Sequence, residues 1–308
     1  MNGQPGIPNY MTKSKTERTS SLLKPLDLIR NRFSSRNSTQ GVDSYHFLLD
    51  PFQAKEVNTP AGFERGIINT PNGKVNYYQT GKGPTIVFVH GWGGGSYQFF
   101  ALMRGLKECG FTAVAFDHLP HGTVAQRPAT LKQMINTTDA VLQFVRDKHL
   151  DGLLAVVAHD IGCMILSNSK NVLIDGLPLF MIAPVFDFKS YFIKRMQRLK
   201  LRSERLNHHI SSFSADYEKN YSSLELARNL KQYSDDTVIA HDKNDEWSAI
   251  SDTVKFCAKH PLTKLVVTQK WGHERIINAE SVWHELKSMI NYEDTTVNFS
   301  NIVRDQNS

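Results

Sequence analysis

Leu153-Leu154-Ala155-Val156-Val157-Ala158-His159-Asp160-Ile161-Gly162 passes from an unbroken apolar run into two polar residues and a small-residue turn. A continuous apolar run of this length suits a strand buried on both faces, as in a parallel sheet. Residues 161–168 then take up helical spacing, so the polar pair stands where a strand becomes a helix. In an open α/β sheet that junction, at the carboxyl end of a strand, is where reactive groups gather. Ala158 and Gly162 lie two residues either side of Asp160. A sharp strand-to-helix turn needs small residues there, because the backbone is strained and neighbouring strands come close.

The same type of run recurs on both sides. Phe63 to Asn69 and Val75 to Thr80, separated by Pro71-Asn72-Gly73, read as an opening hairpin. Strand-like runs follow at Thr85 to Val89, Thr112 to Phe116, Leu177 to Ala183, Thr237 to Ala240 and Lys264 to Thr268. Between them Leu131, Met134, Ile135, Thr138, Val141, Leu142 and Val145 keep helical spacing, with weaker helical segments at 97–108, 249–258 and 279–290. Strands alternating with helices predict an α/β fold, a mostly parallel central sheet with helices on both faces. No internal repeat is present. One interval, 185–230, lacks a strand and predicts a small helical lid over the strand ends. Its first helix is basic, with Lys189, Lys194, Arg195, Arg198, Lys200, Arg202 and Arg205 against Asp187 and Glu204. This is either a solvated face or an entrance favouring acidic or amphiphilic substrates.

Composition narrows the class. The 308 residues carry 36 Lys+Arg, 30 Asp+Glu and 3 Cys, with ordinary Gly and Pro counts, which excludes collagen, wholesale disorder and a disulfide scaffold. The longest apolar run, Gly176 to Phe186, is about half a membrane span, so no transmembrane helix is expected. Cys109, Cys163 and Cys257 are dispersed in apolar patterns and read as reduced core thiols of a cytoplasmic protein. The formal charge of +6 is concentrated at the front, where Lys13, Lys15, Arg18, Lys24, Arg30, Arg32 and Arg36 face only Glu17 and Asp27. The remaining domain is nearly neutral, so nucleic-acid binding is not expected. The expected organisation is a basic, poorly structured arm over 1–60, a core over 61–184 and 231–290, the lid over 185–230, and a polar tail over 291–308. A transit peptide is the functional alternative for the arm, and no secretory signal is visible.

Polar residues cluster after the strands. They are His90-Gly91-Trp92 after the third, Asp117 through Gly122 after the fourth, His159-Asp160 after the fifth, His241 through Asp245 after the seventh and Gly272-His273 after the eighth. In this order the motifs resemble the α/β-hydrolase fold superfamily over residues 63 to 290, and the stretches 241–247 and 272–277 resemble a bacterial small-lid group with a serine nucleophile. The resemblance implies a hydrolase with a nucleophile elbow at Asp160, an acid at Asp245 and a histidine at His273, in the family's chain order. It assigns an oxyanion hole to the backbone N–H groups of Trp92 and Ile161. Asp242 competes with Asp245, which holds the family's acid spacing. Asp at the apex resembles epoxide hydrolases and haloalkane dehalogenases, although Ile161 stands where those families usually carry Trp.

Chemistry separates the alternatives. A carboxylate is already anionic near neutrality and attacks a strained ring or a carbon bearing a leaving group to give an ester, whereas attack on an ester would give an anhydride. His273 would then activate water against the alkyl-enzyme ester. Epoxide opening also needs an acid, and the lid tyrosines Tyr191, Tyr217 and Tyr221 are the candidates. The expected substrate is a small apolar electrophile, with no metal or organic cofactor. The alternatives are an ester or lactone hydrolase in which Asp160 assists as a base, and an inactive ligand-binding or interaction protein in which Asp160 merely salt-bridges His273. His90, His118, His121 and His159 lie on different loops without a metallohydrolase run and read as loop-stabilising, and Cys163 reads as packing.

Overall fold

A computed structural model describes residues 57–119, 121, 130–148, 151–198, 201–292 and 299–306. All but the last four residues of the expected 1–60 arm, together with Pro120 and Gly122 of the turn after the fourth strand, lie outside the described residues.

The opening hairpin pairs β1 (Glu64–Thr70) with β2 (Gly73–Thr80) in antiparallel register from Glu64 opposite Gln79 to Thr70 opposite Gly73. The loop is therefore Pro71-Asn72, and Gly73, at φ 136°, already belongs to the strand. Six strands follow: β3 (Thr85–Val89), β4 (Thr112–Phe116), β5 (Leu153–His159), β6 (Leu179–Ile182), β7 (Thr237–Asp242) and β8 (Lys264–Thr268). They form one sheet in the order β1-β2-β4-β3-β5-β6-β7-β8, parallel from β4 onward. β6 is shorter than its apolar run. Ala183 turns to φ 47° and ends it, while the Ala183 N–H still reaches the Ala240 carbonyl at 2.8 Å.

Strand alternation sorts the core into two layers. Val87 and Val89 face one side, with the helices α1 (Leu131–Lys148) and α2 (Ile161–Ser167). Ile86 and Phe88 face the other, with the helix Phe100–Glu108 and the later helix Glu280–Met289. The described residues of the 185–230 interval are mainly helical, with α3 (Phe188–Gln197), α4 (Ser203–Asn220) and the short helix Leu226–Leu230. Asp187 starts α3 as an N-cap, accepting from the Ser190 N–H at 2.8 Å. Phe188, Phe192, Phe213 and Tyr221 pack ring against ring and join the Val87/Val89 layer, which fixes α3 over the carboxyl ends of the strands.

The C-terminal stretch departs from the polar tail expected over 291–308. Phe299–Gln306 is a helix, and the Phe299 ring stacks on Trp283 at 4.9 Å between centroids. Trp283 is in turn seated against Gly105, where a Cβ would come within 2.8 Å of the indole. Phe299, Ile302 and Val303 form a short apolar stripe at helical spacing, and that stripe outweighs the polar composition around it.

Candidate active site

Each polar residue of the site is delivered by a strand end, and the sheet register brings those ends together. Val89 pairs with Ala158, His159 with Ile182, and Ile182 with Ala240, so the residues that follow β3, β5 and β7 emerge at one edge. Asp160 stands at the turn between β5 and α2 with φ 58° and ψ −131°. A non-glycine residue there is strained, and such strain persists only where the surroundings impose it. Two glycines do so. A Cβ on Gly91 would lie 2.3 Å from the Asp160 Cβ, and one on Gly162 would lie 2.5 Å from the Val89 carbonyl oxygen.

The Asp160 carboxylate is buried, and both its oxygens are engaged. Oδ1 lies 3.1 Å from His273 Nε2. Oδ2 accepts the backbone N–H of Trp92 at 2.7 Å and the Tyr191 hydroxyl at 3.0 Å. On the far side of the imidazole, His273 Nδ1 lies 2.7 Å from Asp245 Oδ2. Asp245 Oδ1 accepts from the N–H groups of Trp247 and Ser248 at 2.7 and 2.9 Å, and His241 Nε2 stands 3.3 Å from Oδ2. The structure therefore joins the three predicted residues as Asp160–His273–Asp245. Asp242 does a different job, accepting from Thr268 Oγ1 and the Trp271 and Asn244 N–H groups and so bracing the loops after β7 and β8.

Electrostatics follow from this geometry. Burial would lower the His273 pKa, but hydrogen bonds and charge from Asp160 and Asp245 outweigh it and raise the group to about 10. Burial likewise pushes Asp160 up, and the bond to His273 reverses this, holding the carboxylate at about 2. Asp245 is also depressed, its burial outweighed by the bonds to His241 and His273. The resting site is thus an imidazolium between two carboxylates. Tyr191 goes the other way: burial raises its pKa well above the ordinary tyrosine range, so the phenol keeps its proton.

Of the three candidate tyrosines only Tyr191 reaches Asp160. The Tyr217 hydroxyl bonds Glu225, and the Tyr221 ring packs between Phe188 and Phe213. Ile161 opens α2, so its N–H has no intrahelical carbonyl and lies in the first turn beside the apex. Of the four histidines read as loop-stabilising, His90, His121 and His159 bond backbone through the ring, while the His118 ring packs against His90 and Phe116 without a ring hydrogen bond among the described residues. His90 Nε2 accepts the His118 N–H at 2.9 Å, His121 Nε2 accepts the Gly93 N–H at 3.1 Å, and His159 Nε2 lies 2.9 Å from the His273 carbonyl. Cys163 is buried behind the turn, with Sγ against the Ala158 and Ile182 carbonyls.

Sequence reading treated the basic helix as one undivided face, and the structure divides it. Lys194 and Arg198 turn to Glu246, Arg198 at 3.0 Å, while Arg195 Nη1 donates to the Tyr191 hydroxyl at 2.7 Å. The Arg195 guanidinium also lies 4.9 Å from the Trp247 ring centre. The i,i+4 spacing of Tyr191 and Arg195 carried this pairing in the sequence.

Comparison with known proteins agrees with the architecture. A family model described as the alpha/beta hydrolase fold matches residues 84–168, from β3 through the apex and α2. The chain has the α/β-hydrolase fold. Among solved α/β-hydrolase-fold structures, an esterase of Pyrococcus furiosus superposes with a TM-score of 0.58 at 14% identity, covering 74% of this chain and 92% of its own. Est1E of Butyrivibrio proteoclasticus, solved with ferulic acid bound, gives 0.57 at 18% identity over 73% of this chain and 99% of its own. A serine hydrolase without a lid from Xanthomonas campestris gives 0.53 at 15% identity over 75% and 95%. No curated protein sequence matches the chain significantly. At these identities the structural likeness concerns the α/β-hydrolase fold itself.

Proposed function

We propose that the protein is a hydrolase acting through an alkyl ester on Asp160, with an epoxide as the substrate class. One observation supports this most directly: a carboxylate at the strained apex, with Oδ1 toward His273 and Oδ2 on the Trp92 N–H. Oδ1 attacks a ring carbon, the carbon–oxygen bond breaks, and Tyr191 leaves Oδ2 to protonate the departing alkoxide. The His273 imidazolium restores the Tyr191 proton and becomes neutral. Alkylation has also removed the Asp160 charge, so His273 is now held by Asp245 alone and can take a proton from water.

The resulting hydroxide attacks the ester carbon. Oδ2 carries the developing negative charge, and the N–H groups of Trp92 and Ile161 form the oxyanion hole for it. Collapse returns the diol, its proton supplied by His273, and the Asp160 proton passes back to His273 to close the cycle. The helical segment 185–230 acts as a lid that carries Tyr191. Among leaving groups, Tyr191 favours an epoxide over a halide, because an alkoxide needs a proton and a halide ion does not.

Ester or lactone hydrolysis is the second reading, supported by the esterase relatives. Asp160 would then act as a base toward water, and no alkyl adduct would form. The test is to incubate His273→Gln with styrene oxide or 1-bromobutane and weigh the intact protein. An adduct confined to Asp160 is the expected result, together with 18O entering Asp160 when wild type turns over once in labelled water. Absence of any adduct, with ester hydrolysis surviving in Asp160→Ala, would overturn the covalent mechanism.

A further inference from the structure

The cations at the C-terminal end of α3, Lys194, Arg195 and the capping Arg198, are not equivalent. Arg198 pairs with the Glu246 carboxylate on the loop after β7 at 3.0 Å, and Lys194 donates to the Glu246 main-chain carbonyl. Arg195, between them, turns toward the apex, and among the described residues no carboxylate lies within 4 Å of its guanidinium. One of its N–H donors is engaged, by the Tyr191 hydroxyl. The Trp247 indole lies against the guanidinium at 4.9 Å, and a Cβ placed on Gly93 would stand 3.6 Å from Nη2. The group is half-buried and positioned by an aromatic ring and a glycine loop; Asp160 and Glu274 act on it through charge at longer range, and neither forms an ion pair with it.

Position gives those donors a meaning. Tyr191 bridges Asp160 and Arg195 through its hydroxyl, 3.0 Å from one and 2.7 Å from the other. A substrate held with its reacting carbon at Asp160 and its oxygen at Tyr191 has its next substituent beside the guanidinium. Guanidinium N–H groups form a planar fork that matches a carboxylate in two parallel bonds, which a neutral substituent does not. We propose that Arg195 is the specificity-determining residue of this site and that it selects small electrophiles bearing a carboxylate next to the reacting carbon, of the 2,3-epoxy acid class. The epoxide part of this inference rests on the function proposed above, whereas recognition of a short carboxylate does not.

The experiment compares glycidate with glycidol, which share one three-carbon epoxide skeleton and differ in carboxylate against alcohol. Wild type is expected to prefer glycidate in kcat/KM, and Arg195→Met to lose about 10- to 100-fold of that preference, the scale of a charge-assisted pair. Arg195→Lys, which keeps charge without the fork, falls between. If Arg195 acts only through Tyr191, both substrates slow equally in Arg195→Met and the preference stands, which overturns the proposal. A second arm needs no turnover. Glycerate binding to wild type, measured by calorimetry, should weaken at least about tenfold in Arg195→Met. Equal binding by the two proteins, or no binding by wild type, also overturns it. Arg195→Gln replaces the Met variant where the latter does not fold. Failure of the covalent mechanism alone would leave glycerate binding dependent on Arg195, so the two failures are distinct.

Discussion

Replacing Asp160 by Asn keeps the shape of the apex and removes one of the two charges that hold His273. The imidazole is raised from 6.5 to about 10, a shift worth roughly 5 kcal/mol at about 1.36 kcal/mol per unit. One carboxylate in direct contact is worth about 1 to 3 units, so Asp160→Asn should bring His273 down to between about 7 and 9, with Asp245 still attached. Long-range proton–nitrogen spectra of the imidazole, recorded against pH in wild type and variant, measure this directly. A wild-type His273 titrating near its ordinary value, or one that does not move in Asp160→Asn, would refute the reasoning. Stability carries the same sign. A raised histidine stabilises the fold fully below its unfolded pKa near 6.5, and the contribution is lost as pH rises through about 10. The gap between variant and wild type should therefore be widest below about pH 6.5, above the range where Asp160 itself protonates, and should close above pH 10. Asp160 acts at the other end: held at about 2, it stabilises above its ordinary 3.8 and ceases to do so as pH falls through 2.

Three further outcomes are expected. Tyr191→Phe removes the proton donor and should slow adduct formation from an epoxide about 10²- to 10⁴-fold, with an alkyl halide affected far less, as followed by rapid-quench mass spectrometry. Gly91→Ala would put a methyl 2.4 Å from Asp160 Oδ2, so the carboxylate must leave the Trp92 N–H; adduct formation should collapse, and urea denaturation should show a loss of about 1–3 kcal/mol. Trp283→Ala empties a fully buried site between Gly105 and Phe299 and should cost about 3–5 kcal/mol in the same denaturation assay.

The strands and the apex were legible because they rest on local facts. Ile86–Val89 and Leu153–Ala158 are continuously apolar, and Ala158 and Gly162 bracket Asp160 whatever the rest of the chain does. Asp245 and His273 were legible through their order along the chain. What decided between Tyr191, Tyr217 and Tyr221 was the packing of α3 and α4, where an aromatic cluster fixes α3 and turns Tyr191, with Arg195, toward the apex; no local pattern specifies that orientation. His159, which lies 114 positions before the His273 carbonyl it contacts, was placed by strand order alone. The C-terminal helix was missed because three apolar residues in a polar stretch anchor only when a surface such as Trp283 is waiting for them.

The clasp between α3 and the loop after β7 reaches further than holding a helix in place. Arg198 grips Glu246 and stacks on Trp247 at 4.2 Å, and the Trp247 N–H is one of the two backbone donors to Asp245 Oδ1. Tyr191 and Arg195 ride on that helix, and Asp245 rides on that loop. Were the helix to swing outward, Tyr191 would part from Asp160 and Trp247 would lose the stacking that steadies its N–H on Asp245. On the mechanism proposed above, admission and readiness would then be opposite positions of one part.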